Sequence, residues 1–243
     1  MILTIYIIIL SYFLVGAIGI FIINRRKEKI FARNNWLKIS TYFIIINAIF
    51  FSIILGPPLF KYLAPAIALA GLFELIKLYK ESGYLKTTFF TGSIILYFFV
   101  AYGFILFSLL ERELILFVFL ILSIFDSFSQ LSGQLWGKRM LMPSVSPNKT
   151  WEGLTGGTVV ALLSGILIKE LIGVTTIHSL LLSAGIAISA FAGDAATSFY
   201  KRRYKVKDFS RLIPAHGGIL DRFDSLIASG AWCVIMNYLI GLL

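Results

Sequence analysis

The chain has 243 residues, of which 58% are hydrophobic and only 14% are charged. That composition is too apolar for a soluble globular protein of this length and indicates an integral membrane protein. The net charge of +10 is spread over short loops rather than gathered in a basic domain, so we expect no nucleic-acid partner. The single cysteine, Cys233, excludes a disulfide framework or a cysteine metal site within one chain.

Apolar runs of about 20 residues recur along the chain, the length that a helix needs to cross a bilayer core of roughly 30 Å. They predict an all-α fold, a polytopic transmembrane bundle of about eight helices in one integral membrane domain, with N-terminal spans in 1–113 and the catalytic part in 114–243. The segment Gly56-Pro57-Pro58 is compatible with either a tight turn between two spans or the kink of a re-entrant pair of helices. The predicted spans are 2–23, 39–56, 59–78, 87–110, 114–136, 153–174, 177–198 and 220–242.

The first apolar run is expected to be a retained anchor rather than a cleaved signal peptide, because no basic segment precedes it and no small-residue cleavage site follows it. Positive charges then orient the bundle, since Lys and Arg concentrate in cytoplasmic loops. With loop 24–38 in the cytoplasm, only Lys61, Arg112 and Lys169 of the 22 basic residues fall on the other side. The pattern predicts both termini on the non-cytoplasmic side.

Four aspartates are functional candidates because ionisable residues at membrane depth are energetically expensive. We expect them to face one inner cavity from separate spans, where carboxylate oxygens suit Mg²⁺. The competing interpretation is that each one only neutralises a nearby cation such as Arg222. Elsewhere we expect local ion pairs, Glu74 with Lys77 or Lys80 and Glu170 with Lys169. The four candidates are Asp126, Asp194, Asp221 and Asp224.

Basic residues flank the same aspartates, and guanidinium and ammonium groups are the usual partners of phosphate oxygens. A positively charged anchor for anionic lipid headgroups is the alternative, although it does not explain the interleaved aspartates. His216-Gly217-Gly218 adds a donor side chain and a backbone that a ligand can approach closely. The flanking cations are Lys201, Arg202, Arg203 and Lys207.

A second polar loop, Ser146-Pro147-Asn148-Lys149-Thr150, precedes an apolar run. Pro147 favours a turn, and Thr150 is expected to cap a helix that begins at Trp151. A helix N-terminus beside a lysine and hydroxyl groups suits a phosphate group. The nearby Gly133-x-x-x-Gly137-Lys138 is not a P-loop, because its spacing is one residue short and no strand precedes it.

Two blocks of this chain resemble the phosphatidate cytidylyltransferase (CDP-diacylglycerol synthase) family. Asp126 through Gly137-Lys138, followed by Ser146-Pro147-x-Lys149-Thr150-x-Glu152-Gly153, resembles one block, and Gly193-Asp194-x-x-x-Ser198 leads into the other. Tyr200, Ala195 and Phe128-Ser129-Gln130 depart from the family pattern. The second block resembles the family signature and reads Ser198-x-x-Lys201-Arg202-x4-Lys207-Asp208-x-Ser210-x2-Ile213-Pro214-x-His216-Gly217-Gly218-Ile219-x-Asp221-Arg222-Phe223-Asp224.

The resemblance implies a nucleotidyltransferase that converts CTP and phosphatidate into CDP-diacylglycerol and pyrophosphate for phospholipid synthesis. It implies Mg²⁺, alone or with a second cation, a homodimer, and an active site facing the cytoplasm from the inner membrane of a prokaryote. The implied catalytic residues are Asp221, Asp194, Lys201 and His216. The implied metal ligands are Asp221, Asp194, Asp224 and Asp126. The implied substrate-binding residues are Ser198, Arg202, Lys207, Ser146, Lys149, Thr150 and Arg222.

Two alternatives stay open at this point. A related enzyme uses CTP on another lipid, as a polyprenol or phytol kinase or a CDP-archaeol synthase does, and a kinase releases CDP rather than pyrophosphate. A transporter or lipid-binding scaffold is a different class of protein. It predicts charged residues along a path through the membrane, whereas the outer halves of these spans are almost free of them.

Overall fold

The computed structural model describes residues 2–25, 29–55, 57–210, 212–213 and 217–240. Within these ranges the backbone is mainly helical, so the predicted all-α, polytopic class is confirmed. A hairpin of two short antiparallel strands, β1 (Met140–Met142) and β2 (Ser146–Thr150), joins the fifth helix to the sixth. The helices are α1 (Ile2–Asn24), α2 (Lys29–Ile54), α3 (Pro57–Glu81), α4 (Thr87–Phe107), α5 (Arg112–Trp136), α6 (Trp151–Ile168), α7 (Thr176–Arg203) and α8 (Leu220–Ile240), with a 3₁₀ turn at Lys169–Leu171.

Six helices of the described ranges contain a stretch that is long and apolar enough to cross a membrane. Some helices extend beyond the predicted spans; α2, for example, begins ten residues before residue 39, whereas α4 ends three residues before 110 and α6 six residues before 174. Hydropathy marks only the part of a helix that suits the lipid core, whereas backbone hydrogen bonding carries the helix on into the polar region. The apolar stretches are Asn35–Ile54, Leu59–Glu81, Thr87–Phe107, Arg112–Trp136, Trp151–Leu171 and Thr176–Arg203.

The close contact of α5 with α6 rests on small residues. A methyl group at Gly156 or Gly157 of α6 would overlap the side chains of Ser132 or Ser129 on α5, and Gly153 approaches the same helix. Lipid tails are as apolar as leucine, so helices in a membrane associate mainly through close van der Waals packing, which small residues permit. This packing holds α5, with Asp126, at a fixed distance from the N-terminus of α6.

Helix α8 lies between α4 and α7 and is packed on both sides through small residues. Gly103 of α4 contacts Ala231, and Gly230 of α8 accommodates the rings of Phe104 and Phe107. On the α7 side, Gly193 contacts the α8 backbone at Asp224. These contacts bring Asp194 on α7 beside the first turns of α8.

Candidate active site

A cavity of about 1250 Å³ lies between α2, α5, α7, α8 and the β1–β2 hairpin. One part of its wall is charged, and another is apolar, formed by residues such as Ile45 and Ile49 of α2 and Leu122 of α5. The structure therefore brings most of the predicted site residues to one place. Those that line the cavity are Asp126, Ser146, Lys149, Thr150, Asp194, Lys201, Asp221, Arg222 and Asp224.

Asp221 and Lys201 form a buried ion pair in the cavity wall. Lys201 Nζ lies 2.5 Å from Asp221 Oδ1, and the Asp221 side chain is only 1% exposed. Asp221 Oδ2 also accepts hydrogen bonds from the backbone amides of Phe209, at 2.9 Å, and Gly218, at 2.7 Å. A carboxylate offers about four lone-pair positions, so three donors leave one position for a further partner.

Asp194 is more accessible than Asp221, with 41% of its side chain exposed. Its Oδ2 lies 2.7 Å from Nζ of Lys149, which comes from β2, and its Oδ1 accepts a hydrogen bond from Ser198 Oγ at 3.2 Å. The Lys149 ammonium also lies 4.7 Å from the ring centroid of Phe191. The pair joins the hairpin to α7 at the cavity wall, where a ligand can reach both charges.

Asp224 and Asp126 complete the carboxylate group. Asp224 accepts a hydrogen bond of 2.5 Å from Thr197 Oγ1 and one of 2.7 Å from the amide of Ser225. Asp126 is exposed and lines the cavity, and its role as a metal ligand stays a prediction. The charges that interact with Asp126 are those of Asp194, Asp224, Lys149 and Arg222.

The N-terminus of α6 is capped as predicted, since Thr150 Oγ1 accepts a hydrogen bond of 3.1 Å from the Gly153 amide. Glu152 has a role that the sequence did not suggest. Its Oε2 accepts hydrogen bonds from the amides of Lys138, at 3.1 Å, and Arg139, at 3.2 Å. The carboxylate thereby holds the start of the hairpin against α6 and places β2 at the cavity.

Three predicted site residues do not line the cavity, and a fourth lies outside the residues that the structure describes. Ser198 is not part of the lining, and its hydroxyl donates to Asp194 Oδ1. Arg202 donates to the carbonyls of Val145, at 3.1 Å, and Val206, at 2.7 Å, and so links the hairpin to the segment after α7. Lys207 is exposed and lies outside the cavity lining. His216 falls outside the described residues.

The predicted ion pair of Glu74 with Lys77 or Lys80 is wrong, and Lys77 instead lies 3.7 Å from Glu81. Glu74 is fully buried, and its carboxyl accepts hydrogen bonds from Ser210 Oγ and from backbone amides at the start of α8. The signal that could have found it is its place within an apolar run, where an ionisable residue is costly.

The other predicted local pair is confirmed, because Lys169 Nζ and Glu170 Oε1 lie 3.9 Å apart. Both groups belong to the short turn after α6, away from the cavity lining. Such an exposed pair contributes little to stability.

The balance of charge around the cavity bears on whether a cation fits there. Because carboxylates offset the ammonium and guanidinium groups, the wall alone carries too little positive charge for a triphosphate. No group of three or more His, Cys, Asp or Glu residues in the described ranges is arranged to hold a metal ion. Mg²⁺, however, is typically bound by one or two carboxylates together with substrate phosphates, and this donor set fits that mode. The basic residues of the lining are Lys138, Lys149, Lys201 and Arg222.

The charged residues of the cavity wall lie in a segment that matches a known protein family. The sequence profile described as "Cytidylyltransferase family" matches residues 109–240, which include every side chain of the charged cavity wall. Glu74 lies outside that segment.

Several curated proteins are similar to part of the chain. A phosphatidate cytidylyltransferase of Haemophilus influenzae is 42% identical over 122 residues, 48% of this chain and 42% of the relative. A phosphatidate cytidylyltransferase of Bacillus subtilis is 41% identical over 104 residues, 42% of this chain and 39% of the relative. A phosphatidate cytidylyltransferase of Rickettsia prowazekii is 36% identical over 125 residues, 48% of this chain and 55% of the relative. The matched part thus spans about half the length of these relatives.

Proposed function

Because the chain belongs to the cytidylyltransferase family, we propose that it transfers the cytidylyl group of CTP to phosphatidate and forms CDP-diacylglycerol and pyrophosphate. The observation that carries this proposal is a single cavity in which lysines and aspartates face an apolar wall. A nucleoside triphosphate needs the charged part of the cavity wall, and the acyl chains of a lipid need its apolar part. The similar proteins named phosphatidate cytidylyltransferase support the choice of substrates.

In the proposed reaction, an oxygen of the lipid phosphate attacks the α-phosphorus of CTP. The new oxygen–phosphorus bond forms as the bond to the β-phosphate bridge breaks, and pyrophosphate leaves with the electron pair. A phosphomonoester has a second pKa of about 6, so the attacking group is largely deprotonated at neutral pH and needs no strong general base. Catalysis then depends on in-line positioning and on stabilising charge.

The chain's own residues supply that positioning. We assign the binding of phosphate oxygens to Lys149, Lys201 and Arg222, which reach the cavity from β2, α7 and α8. Ser146 and Thr150 present hydroxyl groups beside the N-terminus of α6, where backbone amides favour an anion. The roles of Ser198, Arg202, Lys207 and His216 in holding phosphates stay predictions from the family resemblance.

The same proposal includes Mg²⁺, which one or two of the four predicted ligands Asp126, Asp194, Asp221 and Asp224 would hold together with substrate phosphates. When bound, such an ion offsets the repulsion between two anionic substrates and the charge on the departing pyrophosphate. The nearly balanced charge of the wall supports this requirement.

We further propose eight membrane spans, with both termini on the non-cytoplasmic side and the cavity facing the cytoplasm of a prokaryotic inner membrane. The one-sided distribution of Lys and Arg supports this orientation, and the bacterial relatives support the location. CTP is available on that side, while the lipid enters from the bilayer without exposing its chains to water. A homodimer is proposed from the family resemblance alone.

The proposed reaction is tested by measuring pyrophosphate release from purified protein in detergent with CTP, Mg²⁺ and phosphatidate, each omitted in turn. We expect release that requires all three components. Release without phosphatidate, or lack of release in a protein that still binds CTP, would contradict the assignment. The second outcome favours another lipid acceptor, the closest alternative.

A further inference from the structure

Glu74 of α3 is a buried carboxyl group that the proposed mechanism does not use. It is 0% exposed. Its Oε1 accepts a hydrogen bond of 2.6 Å from Ser210 Oγ and one of 3.0 Å from the Ile219 amide, and its Oε2 accepts one of 2.8 Å from the Leu220 amide. A buried carboxyl group is costly without such partners, and here they come from the segment between α7 and α8 and from Leu220, the first residue of α8.

Glu74 and Asp221 hold the same two short segments from opposite sides. Asp221 binds the amides of Phe209 and Gly218, each the immediate chain neighbour of a residue that donates to Glu74, namely Ser210 and Ile219. Gly218 passes so close to Glu74 that a methyl group there would overlap the carboxyl oxygens. Gly217, with φ +87°, makes the turn that precedes it.

Glu74 also occupies the N-terminus of α8, where a carboxylate interacts favourably with free backbone amides. That first turn carries Asp221, which pairs with Lys201. A second contact ties α3 to α7, because Tyr200 Oη donates to the carbonyl of Leu75 at 3.0 Å. Helix α3 thus contacts both of the helices that supply the Lys201–Asp221 pair.

We propose that Glu74 is a positioning residue for the transfer reaction: it fixes the N-terminus of α8 and thereby holds Asp221, and through it Lys201, at the cavity. The inference rests on the proposed function. It assigns a role in the active site to a helix outside the segment that the family profile matches.

The test compares three variants with the wild type in detergent, below the melting temperature of each. Glu74→Gln keeps the size of the side chain but turns an NH₂ group toward N–H and O–H donors. Ser210→Ala removes one donor from the same carboxyl group. Glu81→Gln is the matched control, because Glu81 lies on the same helix with its side chain 58% exposed.

We expect kcat to fall about tenfold or more in Glu74→Gln, since small misplacements in an active site are costly. KM for CTP should change less than kcat does, because Lys149, another of the assigned phosphate ligands, comes from β2 and pairs with Asp194 rather than with Asp221. Ser210→Ala should show a smaller loss of kcat, and Glu81→Gln none. Wild-type kcat in folded Glu74→Gln would overturn the proposal, as would equal losses in the control. If Glu74→Gln does not fold, wild-type kcat in Ser210→Ala overturns it.

Amide hydrogen exchange over residues 217–221 separates this proposal from the reaction itself. Faster exchange in Glu74→Gln is expected whether or not the wild type transfers a cytidylyl group, because at least one of the Ile219 and Leu220 amides loses its acceptor. If the wild type shows no transfer, the proposed function fails. Unchanged amide exchange in Glu74→Gln would then also overturn the positioning role. Faster amide exchange in that variant would show that Glu74 still anchors the N-terminus of α8.

Discussion

Asp221→Asn is expected to lower kcat for cytidylyl transfer by a factor on the order of 10² to 10³, the loss typical of removing one preorganised electrostatic partner from an active site. Asp221 accepts hydrogen bonds from Lys201 and from two backbone amides. An asparagine has one acceptor oxygen, so its NH₂ group must face either the ammonium or the two amides. The first arrangement breaks the contact with Lys201, the second leaves the amides of Phe209 and Gly218 without an acceptor, and both remove the negative charge of a proposed metal ligand.

The same substitution leaves Lys201 buried without a counter-charge, and breaking one side of a buried pair is destabilising. We therefore expect a lower melting temperature in Asp221→Asn, and partial recovery in the double variant Lys201→Met/Asp221→Asn. Activity should not recover with stability in the double variant. Turnover at the wild-type level in either variant would contradict the role of the pair in the reaction.

Asp194→Asn is expected to reduce turnover to a similar extent but to leave the melting temperature close to that of the wild type. The difference follows from exposure, because the Asp194 side chain is 41% exposed whereas that of Asp221 is 1% exposed, and exposed ion pairs contribute little to stability. The loss of a proposed ligand should also raise the Mg²⁺ concentration that gives half-maximal rate. A magnesium titration of the initial rate measures this shift.

Glu170→Gln is the matched control for Asp194→Asn, because Glu170 pairs with Lys169 and its side chain is 82% exposed. Its magnesium titration should overlay that of the wild type. An Asp194→Asn protein with the wild-type magnesium dependence would show that Asp194 serves only as the partner of Lys149.

The sequence was sufficient to predict the gathering of the four aspartates and the Thr150 cap. Polar residues at membrane depth stand out against apolar runs, and alternating spans leave few ways to bury them except in a shared cavity. The cap depends on local chemistry within four residues. Both features are therefore visible in a single chain before it is folded.

The place of Glu74 within an apolar run marked it as an unusual carboxyl group, but its partners were not predictable from the sequence. Its partners are backbone amides at Ile219 and Leu220, groups that every residue carries, so no residue type in the sequence marks them. A nearby lysine offered a more obvious partner, but Lys77 pairs with Glu81, and the Glu74 carboxyl group is buried against the start of α8. Glu152 was missed for the same reason, since it also binds backbone amides.

The most direct test of the proposed reaction follows two phosphorus labels of CTP, one at the α-position and one at the γ-position, into the lipid fraction with phosphatidate and Mg²⁺. Cytidylyl transfer predicts that the α-label enters the lipid together with cytosine and that the γ-label leaves as pyrophosphate. Entry of the γ-label into the lipid, with release of CDP, would contradict the account and assign the cavity to a CTP-dependent kinase.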